Sequence, residues 1–177
     1  MPFSDAYNLF HEGSIALAEM EANGIRINIK YLDRMIERIG GRIKMLEAEL
    51  REDEVYHRWR KEYGERTKLG SAEQRAHVIF DVLNYPCPGR TEPSDRYPNG
   101  KPRADERAFE KVDLPWLKKY FRVQRLKKAK TTYLLGLKKE IVGEYIHPFF
   151  HLTGSGEDDR GGARSYRSSS SMPKVQN

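Results

Sequence analysis

Residues 113–140 have the sequence DLPWLKKYFRVQRLKKAKTTYLLGLKKE, and the predicted fold follows from this stretch. Nine of the 32 Lys and Arg residues lie between Pro115 and Lys139 without a single acid, whereas the other 23 are outnumbered by 26 acids elsewhere. A helix is predicted because Asp113 can act as the N-cap, Pro115 is tolerated in the first turn, and no further helix breaker occurs before Gly136. The net positive charge of the chain therefore lies on one long helix.

The apolar residues of this helix form two stripes with helical spacing. The first stripe contains Leu114, Leu117, Tyr120 and Phe121, and the second contains Leu126, Ala129, Tyr133, Leu137 and Ile141. A step of five residues separates the stripes near Gln124 and Arg125. We therefore expect the first half of the helix to pack on one face and the second half on another, with Lys127 and Lys128 turned outward.

A second long helix is predicted over residues 29–52, with Asn28 as its cap. Its apolar residues recur every three or four positions, as in a heptad seam. The seam contains Leu32, Ile36, Ile39, Ile43, Leu46 and Leu50. Such a seam packs against another helix, and the second half of the basic helix has matching spacing. The two helices predict an antiparallel stalk, with the residues between them at its far end.

The fold class that follows is mainly α-helical: an antiparallel stalk of long helices with a small helical tip and a short C-terminal β segment. The tip includes a capping box at Ser71–Gln74 and a proline-rich loop. We expect the tail of residues 155–177 to be mobile, because its strand edges have no ladder to join and its Gly/Ser-rich composition cannot bury enough surface to order itself. The predicted division is an N-terminal helix and link over 1–28, a unit over 29–142 with stalk helices at about 29–52 and 113–141 and a tip at about 53–112, and the β segment within 143–177.

Composition limits the class of protein. Charged residues make up 33% of the chain and mean hydropathy is -0.80, which favours solvated, elongated helices over a compact globule. The single cysteine, Cys87, cannot form an internal disulfide, and the N-terminus lacks the pattern of a signal peptide. No apolar run approaches about 18 residues, so a membrane span is not predicted and a cytoplasmic location is expected.

The basic cluster points to a nucleic-acid partner. Lys and Arg side chains contact phosphate oxygens, and the hydroxyls of Thr131 and Thr132 directly after the cluster can add short hydrogen bonds. The alternative is a solvated helix face without a partner. We favour duplex binding without sequence readout, because acids are absent from the positions where i,i+4 pairing would neutralise the bases.

No catalytic centre is predicted from the residues. There is no phosphate-binding loop and no supported Ser/His/Asp or Cys/His grouping. His147 and His151 are four residues apart, but in a strand this separation spans about 13 Å, so they are not expected to share a metal ion. Asp158 and Asp159 stand in a glycine-rich stretch, where carboxylates from different elements do not converge on a two-metal site.

Four segments, in this order, resemble the thumb and first palm strands of family A DNA polymerases, the polymerase I family. They are ALAEMEANGIRIN (16–28), TKLGSAEQ (67–74), RLKKAKTTYLLGL (125–137), and IHPFFHLTG (146–154) followed by ARSYRSSSSMPKVQN (163–177). The serine-rich YRSSSSMP is most similar to phage members of the family. The resemblance implies a thumb whose helical pair and small tip grip the minor groove of primer–template DNA.

The resemblance also assigns DNA-binding roles to matched positions. Ser71 and Gln74 match a tip motif, and Arg167 matches an arginine that enters the minor groove near the primer end. The full set of expected DNA-binding residues, including neighbouring bases of the cluster, is Ser71, Gln74, Arg125, Lys127, Lys128, Lys130, Thr131, Arg167, Lys174, Gln176 and Asn177. The chain departs from the family where Tyr166 and Ser168 replace glycine and leucine, and where Met172 and Lys174 replace aspartate and asparagine.

The metal-binding aspartates, fingers helix and His-Asp-Glu segment of the family have no counterpart in this chain. We therefore expect the chain to be a fragment or one half of a split polymerase and to be inactive alone, with Mg²⁺ required only in the complete enzyme. The expected partners are primer–template DNA and, in a split enzyme, a separate palm-and-fingers polypeptide. The alternative is a free-standing helical DNA-binding or replication-accessory protein without catalysis.

Overall fold

The computed structural model describes residues 3–95, 97–110, 112–151 and 169–171. The chain is mainly helical with short strands, which confirms the predicted fold class. It divides into two compact units, one formed by residues 1–39 and 128–177 and the other by residues 40–127. No helix in the described ranges is both long enough and apolar enough to cross a membrane.

The helices and strands have the following bounds. The α-helices are α1 Phe3–Asn23, α2 Ile29–Glu52, α3 Glu54–Tyr63, α4 Ala72–Ala76, α5 Glu106–Phe109, α6 Pro115–Lys128 and α7 Leu135–Lys139. A 3₁₀ turn covers Gly64–Arg66, and π-helical turns cover His77–Val82 and Ala129–Leu134. The strands are β1 Ile25–Arg26, β2 Tyr145–Ile146, β3 Phe149–His151 and β4 Ser169–Ser171.

Helix α2 has the predicted bounds and the predicted seam. Asn28 caps it, since its Oδ1 accepts a hydrogen bond of 3.0 Å from the Tyr31 N–H. The helix continues through Gly40 and Gly41, although each glycine costs about 1 kcal/mol relative to alanine. Burial of the seam offsets this cost, because a fully buried leucine contributes about 1.5–3 kcal/mol. Its buried residues are Leu32, Ile43, Leu46 and Leu50, while Ile36 and Ile39 are less buried.

Helices α2 and α6 run antiparallel within residues 40–127. The Trp116 indole N–H donates to the Leu50 carbonyl at 3.1 Å. Farther along α6, Lys119 pairs with Glu49 at 2.9 Å and Lys127 with Glu47 at 2.5 Å. Partners in α2 therefore have lower numbers as α6 advances, which is an antiparallel arrangement. The first half of the basic segment makes contacts with α2 here, whereas the prediction assigned that role to the second half.

The basic segment is not one uninterrupted α-helix. Its α-helical part ends at Lys128, and the π turn Ala129–Leu134 precedes α7. A π turn adds one residue to a helical turn, which rotates the following side chains by about 100° around the axis. The π turn lies after the step predicted near Gln124 and Arg125, so it rotates the residues from Leu135 onward and does not account for that step. Trp116 and Val123, which the predicted stripe did not include, are buried in α6.

A short helix absent from the prediction, α3, completes the tip. Asp53 caps α3 by accepting a 3.0 Å hydrogen bond from the Val55 N–H. Val55 and Trp59 are buried, and the Trp59 ring lies 5.8 Å from the Trp116 ring between centroids. The core of residues 40–127 therefore joins the tip to α6 through aromatic side chains.

Both short sheets pair segments that are distant in sequence. Strand β1 pairs antiparallel with β2, aligning Ile25 with Ile146, and β3 pairs with β4, aligning Phe150 with Ser170. The expectation that strand edges in residues 155–177 have no ladder to join is therefore wrong, since β4 pairs with β3. The local Gly/Ser-rich composition does not reveal a ladder whose other strand lies about twenty residues later.

Candidate nucleic-acid interface

The structure separates the predicted DNA-binding residues into three sets. Ser71, Gln74, Arg125 and Lys127 belong to the unit of residues 40–127, whereas Lys128, Lys130 and Thr131 belong to the other unit. The remaining four, Arg167, Lys174, Gln176 and Asn177, lie outside the described residues.

Ser71 begins helix α4. Its Oγ accepts a 3.3 Å hydrogen bond from the Gln74 N–H, and its own backbone is extended with φ -75° and ψ 116°. This is the N-cap predicted from the sequence, and such a cap stabilises a helix by about 1 kcal/mol. The hydroxyl is thus held at the start of α4 on the half-buried edge of the tip.

The Gln74 side chain holds a loop together. Its Oε1 accepts from the Trp59 indole N–H at 3.1 Å and from the Lys68 N–H at 2.8 Å, while its Nε2 donates to the Arg66 carbonyl at 2.9 Å. A capping box would instead return this side chain to the Ser71 N–H, which here donates to the Lys68 carbonyl at 2.9 Å. One amide hydrogen of Gln74 remains for an external partner.

Several bases of α6 are neutralised by acids from other elements. Lys119 pairs with Glu49, and Lys127 pairs with Glu47. Arg125 lies 3.8 Å from a carboxylate oxygen of Glu106 in α5, with 69% of its side chain exposed. The hydrogen bond from Lys119 and its charge lower the pKa of Glu49. The absence of acids along the basic segment therefore does not leave all of its bases unpaired.

Lys128 and Lys130 differ from these paired bases. Neither forms an ion pair with any other residue that the structure describes. Lys128 is exposed and Lys130 is half-buried, and the exposed Thr131 follows in the π turn. By contrast, Lys138 in the same unit pairs with Asp33 at 2.5 Å. Lys128 and Lys130 thus place positive charge without an acidic partner among the described residues at the start of the π turn.

Three further bases line an open groove in the tip, a cavity of about 1090 Å³ that Glu73, Asp81 and Asp105 also line. Arg90 donates to the Gly100 carbonyl at 3.2 Å, Lys101 lies 4.0 Å from the centroid of the Tyr97 ring, and Arg103 pairs with Asp105 at 3.2 Å. Sequence reasoning did not assign these bases, because acids and prolines interrupt the run that contains them. The sequence signal for these bases is their alternation with Pro, Gly and Asn in residues 90–103, RTEPSDRYPNGKPR.

A close turn shapes this loop. The Thr91 N–H donates to the Lys101 carbonyl at 2.8 Å, and the Arg103 N–H donates to the Gly89 carbonyl at 2.9 Å. Gly100 has a φ of +68°, and a Cβ at this position would lie 2.0 Å from the Thr91 carbonyl oxygen. Only glycine fits this position, so the turn that carries the three bases depends on it.

The described residues do not offer a metal-binding group. Within them, no three His, Cys, Asp or Glu side chains converge in a way that could hold an ion. His147 is engaged by the backbone, since its Nδ1 lies 2.8 Å from the Glu21 carbonyl oxygen. Mg²⁺ therefore has no candidate ligand set among the described residues.

Known proteins are similar to this chain in sequence and structure. The thermostable DNA polymerase I of Thermus aquaticus is 30% identical over 137 residues, which make up 76% of this chain. The corresponding enzyme of one Thermus thermophilus strain is 29% identical over 178 aligned positions, which cover 96% of this chain. Homologues of this chain are family A DNA polymerases. These matches confirm the resemblance to the polymerase I family that the four sequence segments predicted.

A solved structure extends the similarity to polymerase I. The polymerase domain of Pol1 from M. smegmatis, in complex with DNA primer-template and dNTP, matches 91% of this chain with a TM-score of 0.60 and 26% identity. This chain spans only 14% and 19% of the two Thermus polymerases and 25% of the Pol1 chain. No protein-family model matches the sequence.

Proposed function

We propose that this chain is the thumb part of a family A DNA polymerase and grips primer–template duplex during DNA replication. The observation that carries the proposal is the match to the Pol1 polymerase domain, whose structure contains primer-template DNA. An antiparallel pair of long helices with a helical tip agrees with the thumb that the sequence resemblance implies. The serine-rich YRSSSSMP segment supports a phage-type member of the family.

Lys128 and Lys130 are proposed as the principal phosphate-binding residues. They lack acidic partners among the described residues, so DNA does not have to displace a carboxylate to reach them. Thr131 follows them, and a hydroxyl adds a short positional hydrogen bond to a phosphate. Phosphate contacts of this kind give affinity without sequence preference and release counterions from the duplex.

Arg125 and Lys127 are proposed as weaker contacts. Each has an acidic partner in the free chain, Glu106 and Glu47 respectively. Exposed ion pairs are worth only about 0–1 kcal/mol, so a phosphate can replace the carboxylate at small cost. Ser71 and Gln74 are proposed to meet the duplex at the tip, where Gln74 also keeps the adjoining loop in place.

The tail residues complete the proposed contacts. Arg167 is proposed to enter the minor groove near the primer end, Lys174 to bind a phosphate, and Gln176 with Asn177 to contact the template side. In the complete enzyme, Mg²⁺ and the palm carboxylates are proposed to supply the chemistry. If the polymerase is split, these come from a separate palm-and-fingers polypeptide.

A titration of labelled duplex DNA with the chain tests the proposal. If about four to six bases reach phosphates, the logarithm of the binding constant falls against the logarithm of salt concentration with a slope of about -4 to -5. The double variant K128A/K130A is expected to bind more weakly on every sequence, with the slope reduced in magnitude by about 2.

The matched control is K119A/K138A, which removes the same charge from residues that already have acidic partners. It is expected to lose less affinity than K128A/K130A. A salt-independent binding constant, or equal losses for the two double variants, would contradict the proposed contacts.

A further inference from the structure

Arg75 is a buried cation inside the unit of residues 40–127. It lies in α4, and only 7% of the residue is exposed. Its guanidinium carbon is 4.8 Å from the centroid of the Tyr120 ring and 5.7 Å from that of Phe121. Burial lowers the pKa of Arg75, and no carboxylate among the described residues counters that effect. Burying an unpaired charge is costly, so the contacts of this side chain must offset that cost.

The guanidinium of Arg75 joins three segments of the chain. Its Nη1 donates to the Tyr120 hydroxyl in α6 at 2.6 Å, and its Nη2 donates to the Ala104 carbonyl at 2.8 Å. Its Nε has no hydrogen-bond partner among the described residues. Ala104 stands at the end of the proline-rich loop, so one side chain of α4 connects that loop to α6. A planar fork with donors in several directions suits this connection better than an ammonium group.

The connection continues through a line of aromatic rings. Tyr120 stacks on Trp116 with centroids 5.5 Å apart, and Trp116 contacts Trp59 at 5.8 Å. The Trp59 indole N–H then donates to the Oε1 of Gln74, the residue before Arg75. The contacts that begin at Arg75 therefore lead back to Gln74, and Tyr120, Trp116 and Trp59 each contact two other members of this chain of side chains.

We propose that Arg75 is a positioning residue that fixes the loop of residues 86–104 against α6 before DNA is bound. This loop carries Arg90, Lys101 and Arg103, so its position decides where the positive charge of the tip meets a duplex. The consequence for DNA binding rests on the proposed function, whereas the contacts of Arg75 with the loop and α6 do not. A loop that is ordered in advance binds more tightly, because no ordering entropy is lost on association.

Two substitutions test this role by amide hydrogen exchange. Arg75→Met removes the donors and keeps a long side chain, whereas Tyr120→Phe removes only the hydroxyl that accepts from Nη1. Both are expected to speed exchange in residues 86–104, including the Thr91 and Arg103 N–H groups that close the loop. The control Arg60→Met removes an exposed arginine of α3 and is expected to leave exchange in this loop unchanged.

DNA binding separates positioning from direct contact. Arg75→Met is expected to raise the dissociation constant for duplex about three- to tenfold while the salt slope stays unchanged, because no phosphate contact is lost. A slope reduced in magnitude by about 1 would instead make Arg75 a phosphate ligand and overturn the proposal. Arg75→Lys retains the positive charge but not the planar guanidinium. Amide exchange in residues 86–104 is therefore expected to be as fast in this variant as in Arg75→Met.

If residues 86–104 exchange at the wild-type rate in both Arg75→Met and Tyr120→Phe, the positioning role is also overturned. If Arg75→Met does not fold, Tyr120→Phe decides the question, since it preserves the aromatic stack. If the wild-type chain does not bind duplex, the proposed function fails, but the exchange measurements still accept or reject the positioning role.

Discussion

At the scale of single residues, hydrogen bonds and ion pairs within the chain decide which side chains are available for the proposed contacts with DNA. Gln74 matches a DNA-contacting position by resemblance, yet its amide makes three hydrogen bonds within the chain. Lys127 belongs to the same basic run as Lys128, yet only Lys127 is paired with an acid among the described residues. Adjacent positions of one sequence motif therefore have different roles in the free chain.

The substitution Gln74→Ala is expected to destabilise the chain by about 2–3 kcal/mol, because it leaves the Trp59 N–H, the Lys68 N–H and the Arg66 carbonyl without their partner. Urea unfolding followed by tryptophan fluorescence measures this change. Gln124→Ala is the control, since Gln124 is also half-buried. Equal stability of the two variants would mean that the Gln74 hydrogen bonds do not support the loop.

At the scale of elements, the π turn Ala129–Leu134 sets the direction of the side chains that follow it in the basic segment. Leu135 and Leu137 follow this turn and are half-buried, and Lys138 then reaches Asp33. In a continuous α-helix without the extra residue of the π turn, these side chains would lie about 100° away around the helix axis. The extra residue of the turn is therefore part of how α7 packs within its unit.

Deletion of Thr132 should convert the π turn into α-helix. We expect unchanged helix content but a loss of about 1–3 kcal/mol in stability, because the leucines of α7 leave their packed positions. Circular dichroism and urea unfolding provide the two measurements. Thr132→Ala preserves the chain length and should keep wild-type stability within about 0.5 kcal/mol. If the deletion is as stable as this control, the π turn does not set the packing of α7.

At the scale of the whole molecule, the proposed function assigns this chain to the part of a polymerase that positions DNA and not to the part that holds catalytic metals. In the relatives that it matches, it spans 14% to 19% of the length. Two-metal phosphoryl transfer requires carboxylates that converge from different elements, and the proposed function assigns these carboxylates to the palm.

The chain alone is therefore expected to show no nucleotide incorporation in a primer-extension assay. Adding a polypeptide that supplies the palm carboxylates, the fingers helix and the His-Asp-Glu segment should restore extension above that of either piece. The gain follows from positioning, since a displacement of about 1 Å can cost on the order of 100-fold in rate. Incorporation by the purified chain that persists in a matched preparation of K128A/K130A would indicate contamination. Failure of the mixture while both pieces fold would favour a DNA-binding protein without a role in catalysis.

Local patterns alone determined part of the helical framework of this protein. The bounds and seam of α2 and the cap at Ser71 followed from the sequence, because helix periodicity and capping act over a few neighbouring residues. The mainly α-helical class followed for the same reason.

Only the tertiary structure decided which charges are neutralised and which strands pair. Lys138 meets Asp33 across 105 positions of sequence, and His151 aligns with Ser169 in a ladder that its neighbours do not predict. The burial of Arg75 depends in the same way on Tyr120 and Ala104. Ion pairs and ladders join segments that only the folded chain brings within a few ångströms, so neither periodicity nor composition reveals their partners.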